Sequence, residues 1–202
     1  MTKIKLCGLS RHCDIEAANA LKPEYIGFVF ASKSKRYVTP EKAKELRRLL
    51  SSGIQAVGVF VKEKPENVAL LLNRGMIDIA QLHGSEDEDY IRQLRKLTDK
   101  PVIKAFCIET ESDIAAAKES TADYILLDSG AGTGTVFDWN LIQSIKRPYF
   151  LAGGLDLGNV GNAVERLNPY AVDVSSGIET NGWKDKCKMA EFVAAVRKEN
   201  RL

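Results

Sequence analysis

Two residues able to move protons close strand-like runs in this sequence. Cys7 ends K-I-K-L-C and precedes Gly8, and Asp128 ends Y-I-L-L-D. A thiolate can take a carbon-bound proton and a neutral carboxyl can give one. The pair could therefore act as base and acid on a small substrate held between them. Asp128 terminates an apolar run, where desolvation favours the neutral acid. Cys7 precedes a helix start near Ser10, and positive potential from Lys5 or from helix N-termini is expected to favour its thiolate. Alone, a strand-end cysteine is more often an inert buried residue, and a strand-end aspartate more often a cap or turn former. Their placement has to decide.

A second set of residues suits an anion. L-A-G-G-L carries Gly153 and Gly154, and D-V-S-S-G-I-E carries Ser175, Ser176 and Gly177. Glycine lets backbone N–H groups approach a phosphate closely, and a following helix start adds a positive dipole. These five residues are expected to bind a phosphate group. His83, beside Gln81, either lines a substrate pocket or is satisfied within the core. No metal site is expected. The four cysteines, Cys7, Cys13, Cys107 and Cys187, form no C-x-x-C pair, and His12 with Cys13 is a poor match to metal-ligand spacing.

The elements that must position these residues alternate regularly. Strand-like runs occur at Lys3–Cys7, Tyr25–Phe30, Gln55–Val61, Ile77–His83, Pro101–Cys107, Asp123–Asp128, Pro148–Ala152 and Ala171–Ser175. Helix-start signals fall between them: Thr39-Pro40-Glu41, Lys64-Pro65-Glu66, a capping box at Ser85–Glu88, Thr110–Asp113 and Asp138. A last helix is expected over about Asp185 to Glu199. Eight strand–helix units imply parallel strands with right-handed crossovers. The expected fold is α/β, a single (β/α)8 TIM barrel spanning 1–202, near the lower size limit of that fold. An open doubly wound sheet shares the alternation and is the alternative.

Parity then separates the faces of each strand. Lys5 and Cys7 share one face, opposite Ile4 and Leu6. Gln81 and His83 share another, as do Asp128 and Leu126, and Asp173 and Ser175. The polar set, including Lys104, is expected to face the barrel interior, where Lys5, Lys104 and Asp173 would supply one another's partners. Barrel chemistry sits at the C-terminal strand ends, and the loops after strands seven and eight often hold phosphate. That places Cys7, His83, Asp128 and both glycine-bearing loops at one mouth, with Cys7 and Asp128 facing each other across it.

Composition excludes little else. Of 202 residues, 45% are hydrophobic and 28% charged, and the net charge of +2 gives no reason to expect nucleic-acid or membrane-surface binding. No apolar run reaches the roughly 18 residues of a membrane span, and the N-terminus reads as mature strand. A cytoplasmic protein is expected, with a monomer as the default state and a homodimer as the alternative.

Taken together, the motifs resemble the phosphoribosylanthranilate isomerases of tryptophan biosynthesis over essentially the full length. The matching segments are K-L-C-G-L at 5–9, G-F-V-F at 27–30, S-K-R-Y-V-T-P at 34–40, V-G-V-F-V at 57–61, Q-L-H-G at 81–84 and L-L-D at 126–128. G-T-G-T-V-F-D-W at 132–139, A-G-G-L at 152–155 and D-V-S-S-G-I-E at 173–179 complete them. The resemblance implies an Amadori rearrangement of a phosphosugar, with Cys7 as general base and Asp128 as general acid. It also implies Arg36 on the anthranilate carboxylate, and neither metal nor organic cofactor. Leu6 and Thr135 depart from the family pattern. A sugar-phosphate isomerase of histidine biosynthesis would use an aspartate where Cys7 stands, and a non-catalytic phosphosugar-binding barrel would not need both Cys7 and Asp128.

Overall fold

The computed structural model describes residues 1–128 and 139–200. Eight parallel strands close into a barrel in sequence order: β1 (Lys3–Cys7), β2 (Tyr25–Val29), β3 (Gln55–Phe60), β4 (Ile79–Leu82), β5 (Val102–Cys107), β6 (Tyr124–Asp128), β7 (Tyr149–Leu151) and β8 (Ala171–Val174). Pairing of β1 with β8, Lys5 opposite Asp173, seals the ring and rules out the open sheet. Around it run α1 (His12–Leu21), α2 (Pro40–Leu49), α3 (Pro65–Asn73), α4 (Glu88–Arg95), α5 (Glu111–Glu119), α6 (Val160–Leu167) and α7 (Lys186–Glu199). A 3-10 helix, Trp139–Ser144, precedes β7, and a short hairpin of β9 (Glu179–Thr180) and β10 (Trp183–Lys184) follows β8. The expected G-T-G-T-V-F-D stretch at 132–138, with the Thr135 departure and the Asp138 helix start, lies outside the described residues.

Local chemistry explains most boundaries. Pro40 opens α2 behind Thr39, whose hydroxyl accepts from the Lys42 N–H at 3.2 Å. Asp113 closes a capping box with Thr110 at the start of α5, and Asp185 accepts from the N–H groups of Cys187 and Lys188 at the start of α7. The expected box at Ser85 does not form. Asp87 caps α4 instead, and Glu86 turns away to accept from the N–H groups of Lys62 and Gly84. Glu88, which the box would have paired with Ser85, is instead the first residue of α4 and accepts from the Thr121 N–H at 3.1 Å.

Two apolar regions follow from parity. Ile4, Leu6, Ala80, Leu82, Val172 and Val174 belong to the larger cluster beneath the helices, while Val57, Ile79, Ile103, Leu126, Phe150 and Ala171 fill the interior. The inward assignment of Lys5, Cys7, Gln81, Asp128 and Asp173 agrees with this. Lys104 is a correction: its neighbours Ile103 and Ala105 face inward, so Lys104 points the other way. Its ammonium donates to the Gly84 carbonyl at 2.6 Å and lies 3.6 Å from Glu86, pinning the loop after β4. Lys5 and Asp173 therefore pair without it. At the N-terminal end, Tyr25, Tyr124, Phe150 and Tyr170 pack ring on ring, and Lys3 donates to the Tyr170 hydroxyl at 2.6 Å. This plug closes that end and leaves the C-terminal mouth for chemistry.

Candidate active site

The mouth is built outward from Cys7. The last residue of β1 lies opposite Gly27 of β2, and its thiol packs with Val29 and Val59. A Cβ on Gly27 would stand 2.6 Å from the Cys7 sulfur, so the absent side chain makes the room the thiol occupies. Gly27→Ala is expected to displace the sulfur. A shift of about 1 Å in a reacting group costs on the order of a hundredfold in turnover, with little change in thermal midpoint. Steady-state kinetics beside a melting curve checks this, and wild-type turnover would contradict it.

Burial dominates the ionisation of Cys7. It pushes the thiol above its ordinary value, Lys5 and Lys184 oppose this, and Asp173 adds to it. Burial thus outweighs the cation expected to favour the thiolate, and Asp173 shares that cation. Lys5 is fully buried, its ammonium 2.6 Å from Asp173 Oδ2. Burial opposes the Lys5 charge, but Asp173 and Cys7 outweigh it and hold the ammonium above its ordinary value.

Asp128, at the end of β6, retains some exposure, and its Oδ2 lies 3.4 Å from His83 Nε2. Gln81 Nε2 lies 2.9 Å from His83 Nδ1. With the Gln81 amide donating, the ring proton sits on Nε2, facing the carboxylate. His83 is therefore not enclosed in the core: it faces the candidate acid.

Arg36 lies over the residue that follows Cys7. Gly8 has φ +79°, and a Cβ there would fall 2.5 Å from Arg36 Cδ, so both conformation and contact favour glycine. The guanidinium donates through Nε and Nη2 to the two oxygens of Glu179, at 2.6 and 2.8 Å. Such a side-on fork leaves its end-on edge, Nη1 with the second Nη2 hydrogen, pointing elsewhere. Lys184, on β10, donates to the same Glu179 at 2.6 Å, to the Ser175 carbonyl at 2.8 Å and to the Ser175 hydroxyl at 3.1 Å. Burial works against the Glu179 charge, but hydrogen bonds from Arg36 and Lys184 outweigh it and hold the group below the usual carboxylate range.

The two glycine-bearing loops touch each other. Gly153 and Gly154 have φ of +83° and +62°. A Cβ on Gly177 would lie 2.1 Å from the Leu155 carbonyl oxygen, so the loop after β8 nests directly on the loop after β7. Ser176 and Gly177 fall in a 3-10 turn, Ser176–Ile178. The Ser175 hydroxyl donates to the Cys7 carbonyl at 3.2 Å, tying the second loop to β1.

The structure thus brings Cys7, Arg36 and Ser175 into one connected network, and His83 against Asp128 on the far side. Gly8, Gly27, Glu179 and Lys184 were not foreseen as contributors. Glu179 closes the D-V-S-S-G-I-E motif and so had a signal; a single lysine 5 residues further on had none.

Comparison with known proteins points one way. The family model described as N-(5'-phosphoribosyl)anthranilate (PRA) isomerase matches residues 4–195. The N-(5'-phosphoribosyl)anthranilate isomerase of Endomicrobium trichonymphae is 46% identical over 202 residues, covering 98% of this chain and 99% of that one. The crystal structure of phosphoribosyl anthranilate isomerase from Thermotoga maritima aligns with a TM-score of 0.89 at 34% identity, over 98% of this chain and 100% of that one. Another structure of such an isomerase, in complex with reduced 1-(o-carboxyphenylamino)-1-deoxyribulose 5-phosphate, aligns at 0.87 with 34% identity and the same coverage.

Proposed function

This chain belongs to the phosphoribosylanthranilate isomerase family, and on that premise we propose how its barrel mouth performs the isomerisation. N-(5'-phosphoribosyl)anthranilate is its substrate, in tryptophan biosynthesis. Asp128 protonates the furanose ring oxygen as the bond from that oxygen to C1' breaks, leaving an open-chain Schiff base. The Cys7 thiolate then removes the C2' proton, and electrons flow toward the protonated nitrogen to give an enolamine. Loss of the C2' hydroxyl proton and protonation at C1' complete the ketone. Atoms and electrons are conserved within the substrate, which is reduced at C1' and oxidised at C2'.

The observation that carries this reading is the inward placement of Cys7 and Asp128 at C-terminal ends of β1 and β6 in one closed barrel. The fold's active face supports it. Arg36 takes the anthranilate carboxylate on the guanidinium edge that Glu179 leaves open. Gly153, Gly154, Ser175, Ser176 and Gly177 take the phosphate, largely through backbone, since the Ser175 hydroxyl already serves the Cys7 carbonyl. His83 lines the substrate side of Asp128. No helix among the described residues is long and apolar enough to cross a membrane. We read the working unit as one chain, 1–202, in the cytoplasm: Cys7, Arg36, Asp128 and both glycine-bearing loops come from a single barrel, and the four cysteines are unpaired. The direct test is consumption of phosphoribosylanthranilate by the purified protein, followed by fluorescence. Unchanged substrate would sink the assignment.

Arg36→Ala is expected to raise KM by about 10- to 100-fold, the worth of a charge-assisted hydrogen bond of ~1.5–3 kcal/mol, with a smaller effect on kcat. Arg36→Lys should recover little, because an ammonium cannot satisfy Glu179 and a planar carboxylate with the same fork. An unchanged KM in Arg36→Ala would remove Arg36 from substrate binding.

A further inference from the structure

Among the described residues, the barrel interior holds an ion pair whose role the chemistry above does not explain. Lys5 Nζ and Asp173 Oδ2 lie 2.6 Å apart, with side-chain exposures of 0% and 7%. They sit opposite each other across the β1–β8 seam, with Lys5 two residues before Cys7 on the same inward face. Asp173 Oδ1 is buried and accepts no hydrogen bond among the described residues. A half-satisfied buried pair is a poor stabiliser: apolar residues of similar volume often do as well or better. Its position beside the candidate base points to a different use.

We propose that Lys5 and Asp173 are positioning residues that set the charge on Cys7 with opposite sign, Lys5 stabilising the thiolate and Asp173 restraining that cation. The inference rests on Cys7 being the base. It supplies what burial takes away, because a desolvated thiol with no neighbouring cation would release almost no thiolate near neutral pH. Full, uncompensated positive charge would have the reverse fault, since a strongly stabilised thiolate is a weak proton acceptor. The shared pair holds the sulfur between those limits. Ionisation itself sends the thiol proton to bulk water through the mouth, where Cys7 keeps 7% exposure. Other charges acting at the sulfur are Lys184 on β10 and Arg36 after β2; Glu179 pairs with both. The facing residues of β2 and β3 are Gly27, Val29 and Val59, which carry no charge.

The test compares wild type, Lys5→Met, Asp173→Asn and the double variant. Two readouts are taken: the pH profile of kcat/KM, and thiolate ultraviolet absorbance in a background with Cys13, Cys107 and Cys187 changed to serine. Asp173→Asn should move both curves to lower pH, Lys5→Met should move both to higher pH, and the double variant should fall between. A purely structural pair would alter melting temperature without separating the curves in opposite directions, and overlapping curves would overturn the proposal. If Lys5→Met fails to fold, the isosteric Asp173→Asn and the double variant carry the comparison. Loss of folding in all three, with Cys7→Ala folded, would likewise mark the pair as structural and overturn it. Failure of the base assignment looks different: the wild-type kinetic limb would not follow the wild-type absorbance titration.

Discussion

Cys7→Ala is expected to abolish isomerisation, by ~10²–10⁴ for the lost proton transfer alone, while binding of a reduced product analogue stays close to wild type. The reason is geometric. Cys7 ends β1 on the inward face, its sulfur seated in space left by Gly27 and against Val29 and Val59. Removing the sulfur vacates a small volume without disturbing Arg36 or the two glycine-bearing loops, whose contacts run through backbone and through Glu179 and Lys184. Cys7→Ser should be nearly as inactive, because a hydroxyl in that desolvated niche ionises far less readily than a thiol. Wild-type activity should also climb with pH above neutrality. Burial holds the thiol above its ordinary value of 9.0, so the thiolate fraction grows across that range. Single-turnover measurements with the variants, beside analogue titration, separate chemistry from binding. Near-normal turnover in Cys7→Ala would remove the base assignment.

Asp128→Asn should cost a comparable ~10²–10⁴ in kcat with KM little changed. The asparagine side chain keeps the shape of the aspartate and an oxygen for the His83 Nε2–H to face, so the neighbourhood built by Gln81 and His83 survives. What disappears is the proton for the furanose oxygen, without which the ring cannot open to the Schiff base. A large rise in KM instead would make Asp128 a binding group. Retained turnover would pass the acid's role to another donor at the mouth, and His83 would be the first to test.

Much of the architecture was legible from local pattern. Each of the eight strands falls within two residues of the expected run, as in Ile79–Leu82 against 77–83. Proline at the start of α2 and α3 marked those helices correctly. These features depend on neighbours a few residues apart, through side-chain alternation and orphan N–H groups at helix ends. Ser85 misled for the same reason that it attracted notice: the motif was complete, but α4 starts behind Asp87, and Glu88, the expected partner, accepts from the Thr121 N–H instead. Lys104 misled because polarity suggested an inward face, whereas a long lysine can run from the outer face to a loop carbonyl.

The sequence by itself determined which residues point into the barrel and which lie at its chemical end, because parity and strand ends are local properties. That was enough to single out Cys7 and Asp128. Only the tertiary structure decided what surrounds them. Lys5 meets Asp173 through a strand register spanning 168 residues, and Arg36 meets Glu179 across 143. Neither separation leaves a trace in local periodicity. The direction in which Cys7 is pushed was decided there too. K-I-K-L-C places a lysine beside a thiol and suggests a thiolate, but the sign of the shift is a sum of opposing terms. Burial, supplied by the whole barrel, together with a carboxylate from the last strand, outweighs the lysine two residues away.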